Sequence, residues 1–156
     1  IFILCLSCSV TTKAQNSNNP FYGIWQYQNG NQTFQVELFF SEDVGNIRGH
    51  FKMFETSSNG ITTLIYKSNK DLDFGLNWGP VIFADSDGNS LAGHVEDNSI
   101  SLESRLSGNL EMKILTNTGP EVIKATWKVK RGKGIRLTND TRTFNIPIDI
   151  VLTKVN

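Results

Sequence analysis

Residues 23–40, GIWQYQNGNQTFQVELFF, carry two short apolar-alternating runs on either side of an Asn-Gly turn. Asn29-Gly30 is a strong hairpin signal, because both residue types tolerate positive φ. The return run sets Phe34, Val36, Leu38 and Phe40 on one face and Thr33, Gln35 and Glu37 on the other. A period of two predicts strands with one buried and one wet face. This hairpin is expected to open a β-barrel. What it leaves open is whether that barrel holds a ligand or is packed solid.

The same grammar continues downstream. In "NIRGHFKMFE", Ile47, Gly49, Phe51 and Met53 oppose Arg48, His50 and Lys52. "ITTLIYK", "NWGPVIFA", "LAGHVE", "NLEMKIL", "EVIKATWKVK" and "IPIDIVLTKV" follow, separated by turn residues; Pro80 limits the start of its strand to an edge or a bulge. The pattern predicts an all-β domain over 21–156, a single antiparallel meander closing into a barrel of about eight to ten strands. "IRGHFKM", "LAGHVED" and "LSGNLEM" each place a glycine inside a strand, which marks tight bending or a close neighbouring backbone.

The chain has 156 residues, the length of one domain, with 15 basic and 15 acidic side chains. No basic excess points to nucleic acid. Residues 1–15, IFILCLSCSVTTKAQ, read as the apolar core and cleavage region of a signal peptide that lacks its charged start. Thr12 and Ala14 suit cleavage after Ala14; cleavage after Gln15 is the alternative. The apolar run is too short to span a bilayer. Export to the periplasm or the exterior is therefore expected, with residues 16–20 as a polar tether. Both cysteines, Cys5 and Cys8, fall in the leader. Lipid anchoring at Cys8 is the lesser alternative, because Cys5 stands where a lipobox usually has Leu. A chain cut near Ala14 has no thiol for a disulfide, a metal or a nucleophile.

Few residues suggest chemistry. Asp85, Asp87, Asn89 and Glu96 match positions 1, 3, 5 and 12 of a calcium loop, but Ser90 replaces the required glycine and the flanks are not helices. A β-turn is the expected reading. His50 and His94 fall on the solvent face by alternation, and no third ligand joins them. No nucleophile elbow or phosphate loop is present. Lys128, Lys130, Arg131, Lys133 and Arg136 form a basic run, read as a solvated face. No enzyme, cofactor or metal is expected.

After the leader, "GIWQYQNGNQTF", "GHF", "NWGPVI", "ATWKV" and "FNIPIDIVLTK" resemble an uncharacterised family of small exported bacterial proteins. That resemblance implies no activity. Gly23-Ile24-Trp25 also resembles the Gly-x-Trp opening of lipocalin and avidin barrels. Gly49-His50-Phe51, Asn77-Trp78, Thr126-Trp127 and Ile148-Asp149-Ile150 extend the likeness to avidins. It implies Trp78, Trp127 and Asp149 at a barrel mouth, with Trp25 and Phe51 completing the candidate ligand-binding set; for each tryptophan, filling the core is the preferred reading and a pocket floor the alternative. Phe51 replaces the tyrosine that bonds biotin, so biotin is not the expected ligand. The function expected is non-enzymatic binding of a small apolar or amphipathic molecule. The alternative is an interaction protein of the cell envelope with a filled core, using Phe39, Tyr66 or Phe83 at its surface. Oligomeric state has no signal in the sequence.

Overall fold

The computed structural model describes residues 19–116, 122–132 and 140–155, and of Asp73 only the backbone. The leader, Asn16–Asn18 of the tether, Lys133 and Arg136 lie outside the described residues. Nine strands appear among those described: β1 (Gly23–Asn29), β2 (Gln32–Ser41), β3 (Asn46–Thr56), β4 (Thr62–Lys67), β5 (Ile82–Asp87), β6 (Ser90–Asp97), β7 (Leu106–Leu115), β8 (Lys124–Arg131) and β9 (Asp149–Val155). The one helical element among them is a 3₁₀ turn at Asp73–Gly75.

Eight strands close a ring in the order β1-β2-β3-β5-β6-β7-β8-β9, and β9 returns to β1. Every neighbouring pair is antiparallel. β4 is the extra strand. It pairs with the second half of β3, Lys52–Thr56, while β5 pairs with the first half, Ile47–Gly49. β4 and β5 therefore share one column of the wall, broken by an excursion over residues 68–81.

The opening hairpin forms with its tip inside the expected Asn29-Gly30-Asn31 turn. Asn29 pairs with Gln32, so Gly30 and Asn31 make the turn, and Gly30 supplies the positive φ of 60°. Alternation in β2 and β3 is as the side chains dictate: Phe34, Val36, Leu38, Ile47 and Phe51 are buried. "DSDGNS" is mostly strand, with Gly88 and Asn89 alone between β5 and β6.

The interior is filled. Trp25, Phe34, Phe51, Leu110, Met112, Trp127 and Leu152 are all buried to within 2% of completely. Each such large side chain contributes about 1.5–3 kcal/mol of hydrophobic free energy. Both ends are stopped by chain. At the lower end Phe21 packs on Trp25, with ring centroids 6.4 Å apart. Asn19 Nδ2 donates to Ser86 Oγ at 2.6 Å and Lys154 Nζ to the Pro20 carbonyl at 2.9 Å. At the upper end Ile146 is buried, next to Phe144 and Pro147 in the return to β9.

The strand glycines permit this density. A Cβ on Gly49 would meet the Glu37 carbonyl oxygen at 2.5 Å, and one on Gly93 would meet Ala84 at 2.6 Å. Neighbouring backbone, not turn geometry, forbids a side chain there. Gly93→Ala should therefore cost about 1–3 kcal/mol in urea unfolding. Gly79→Ala, where nothing lies within 4 Å, should stay within about 0.5 kcal/mol of the parent. Equal effects would mean that the sheet is not this tightly coiled at Gly93.

Candidate functional site

The five candidate ligand-binding residues are not brought together. Trp25, Phe51 and Trp127 are core. Phe34 links two of them, with centroids 6.0 Å from Phe51 and 5.9 Å from Trp127. The Trp25 indole N–H donates to the Phe21 carbonyl and that of Trp127 to the Pro147 carbonyl, both at 2.8 Å. Trp78 is half-buried at the base of the excursion, where its backbone N–H donates to the Lys70 carbonyl at 2.8 Å and Arg105 lies 5.8 Å from its ring. Asp149 is exposed and paired across the sheet with Lys128, so it belongs to the outer wall.

A cleft does open at the upper end, on other residues. The β1–β9 ladder covers Ile24–Gln26 and stops. Above it the return segment takes the place of β9. Tyr27, Asn29, Gln32, Phe34, Met53 and Asn145–Pro147 line a cleft of about 240 Å³ there. Along β1 the inward positions run Trp25, Tyr27, Asn29; along β2 they run Val36, Phe34, Gln32. Polarity rises toward the hairpin tip on both strands. Among the described residues no hydrogen bond engages the side chains of Tyr27, Asn29 or Gln32. Sequence reasoning missed them because it looked for tryptophans, although the same alternation places them inward.

One wall of the cleft is held by a buried carboxylate. Asp97 Oδ2 accepts the backbone N–H of Asn145 at 2.6 Å and of Ile146 at 3.2 Å. Its Oδ1 accepts from Ser99 N at 3.0 Å and Ser99 Oγ at 2.6 Å. Asn145 Nδ2 adds a bond to Ser99 Oγ at 3.1 Å. Nearby, the Tyr66 ring stands edge-on to Phe51 at 6.0 Å, and its buried hydroxyl has no hydrogen-bond partner among the described residues. Burial, and then the Asp97 carboxylate, push that phenol well above its ordinary value. Tyr66 thus points inward rather than serving a surface patch. Further out, Arg131 and Arg142 both bind the Asp140 carboxylate. Arg131 is accordingly paired, not part of a free basic run.

The calcium pattern becomes an extended hairpin. Asp85, Asp87 and Asn89 are exposed toward the lower end, while Glu96 stands six residues up β6 from Ser90, about 20 Å away at strand rise. Glu96 is also 3.8 Å from Arg105. No group of three or more His, Cys, Asp or Glu side chains gathers among the described residues.

His50 is half-buried on the outer wall, beside Phe39 at 5.9 Å and paired with Glu37. Phe83 is half-buried on the same wall, under the Arg48 guanidinium at 4.3 Å. Phe51 N–H donates to Ser68 Oγ at 2.9 Å, and His50 Nδ1 lies 3.3 Å from the same hydroxyl, with the donor set by the imidazole tautomer. Burial lowers the imidazole's pKa, opposed by Glu37 and aided by Lys52.

Two expectations follow. A histidine whose folded pKa is depressed binds its proton more readily when unfolded. Stability should therefore be level above about pH 6.5, the ordinary histidine value, and fall as acid titrates His50 through its lower folded value. An NMR titration placing His50 at or above that ordinary value would refute this. Separately, Asp97→Ala strands buried amides and should cost about 3 kcal/mol. Faster hydrogen exchange at Asn145 and Ile146 should accompany it, with the centre of β2 unchanged.

Among known proteins the chain matches no family model, no curated protein and no solved structure. The barrel accordingly stands on its own strand register.

Proposed function

We propose that this is a non-enzymatic binding barrel that takes a small ligand at its upper mouth rather than in its centre. The observation that carries the reading is the cleft between β1 and the return segment, where the side chains of Tyr27, Asn29 and Gln32 have no hydrogen-bond partner among the described residues and lie beside the apolar Phe34 and Met53. The filled core argues against a ligand threaded through the barrel. Ligand sites run from about 300 Å³ upward, so the cleft suits a small molecule or the end of a longer one. Export belongs to the same proposal and rests on the leader, as kinship with small exported proteins rests on the motifs quoted above. Among the described residues no helix is long and apolar enough to cross a membrane.

A second reading, docking to another macromolecule, is favoured by one different observation. Ile61, Leu64, Ile65, Phe74 and Leu76 are exposed along β4 and the excursion. Phe74 is 100% exposed and has a φ of 63°, which is uncommon for a bulky residue. These residues, rather than Phe39 and Phe83, form the exposed apolar fringe.

Native mass spectrometry after incubation with an extract of the source cells separates the two. The mouth reading expects a reproducible small added mass that disappears in Met53→Arg, where a cation fills the cleft, and persists in Phe74→Ser. A bare protein throughout, or a small mass indifferent to Met53→Arg, sinks it.

A further inference from the structure

We infer that the upper cleft selects a neutral, hydroxyl-bearing ligand, of which a saccharide end is the simplest example. The inference rests on the mouth reading and specifies its chemistry. The polar groups offered are two primary amides, Asn29 and Gln32, and one phenol, Tyr27. An amide presents donors and an acceptor together, and a phenol can do either. Such a set matches hydroxyls, which also donate and accept at one atom. It matches poorly an alkyl chain, which would bury those amides unpaired.

Charge points the same way. None of the side chains lining the cleft is a formal cation or anion at neutral pH. The strand register sets Glu55 opposite Gln32 at the rim, and its Oε1 accepts from Asn31 Nδ2 at 3.3 Å. A carboxylate there disfavours the head of a fatty acid or a phosphate. The cations Arg131 and Arg142 are committed to Asp140. The Tyr27 ring and the Met53 methyl give the apolar contact that the C–H face of a sugar ring requires. The wall opposite is preset, because Asp97 and Trp127 hold Asn145–Pro147 before any ligand arrives. A preordered wall reduces the entropy lost on binding.

The chain's two methionines make the test specific. Met53 lines the cleft, whereas Met112 is buried in the core. With ¹³C-methyl methionine in the full chain, D-glucose, cellobiose and N-acetyl-D-glucosamine are titrated as neutral probes, and 1-decanol and decanoate as amphipathic ones. The expected result is a saturable shift of the Met53 methyl with at least one saccharide, Met112 unmoved, and no saturable shift with either decyl compound. Asn29→Ala and Gln32→Ala should each weaken that binding about three- to tenfold, with the Met112 signal confirming the fold. A Met53 shift with decanol or decanoate but with no saccharide overturns the ligand class and keeps the mouth. Silence of Met53 toward every probe overturns the class, and a bare mass in the extract experiment then removes the mouth reading as well.

Discussion

The structure depends on a barrel interior that must be both filled and stoppered, and two indole N–H groups meet that demand. A buried indole needs a partner for its one donor. Trp25 finds it in the Phe21 carbonyl below and Trp127 in the Pro147 carbonyl above. Each tryptophan thus fills volume in the ring and pins the chain that closes one end. Losing either indole would leave an apolar void and release a stopper together. The two ends are coupled to the core through these bonds rather than through the strands alone.

The stoppers differ in chemistry. The lower one is mostly apolar, with Phe21 wedged on Trp25 and Lys154 spanning from its ring to the Pro20 carbonyl. The upper one is polar, since a single carboxylate accepts two successive backbone amides of the return segment. A carboxylate bonded to several N–H groups is strong and directional. It fixes where the return segment lies, and hence the width of the cleft beside β1. The positions of Tyr27 and Asn29 follow from β1 pairing; the position of the facing wall follows from Asp97.

Most of the fold was legible in residues 23–40. Period-two alternation is a backbone property, so it survives whatever the tertiary context adds. The hairpin, the inward faces of β2 and β3 and the meander all followed from it. The three strand glycines were legible too, because a missing Cβ in a strand has few other causes. The site was less so. Tryptophan allowed two readings, core filler and pocket floor, and the bulk of Trp25 and Trp127 serves the core. Asp149 was placed at the mouth by resemblance, while register put it beside Lys128 on the outside. The lock at Asp97 joins residues 48 and 49 positions apart, and local pattern carries no signal for such a pairing. Splitting one wall position between β4 and β5 was equally invisible, because each half reads as an ordinary strand.

The return of β9 to β1 has a geometric corollary. Gly23 and Val155 both lie at the lower rim, with Val155 paired directly to Ile24. Chain that enters the ring and chain that leaves it are therefore neighbours at the lower pole. The cleft sits at the other pole. A bead, a fusion partner or a surface attached beside Gly23 or Val155 would face away from the cleft. The molecule has a built-in polarity, like a cup fixed by its base.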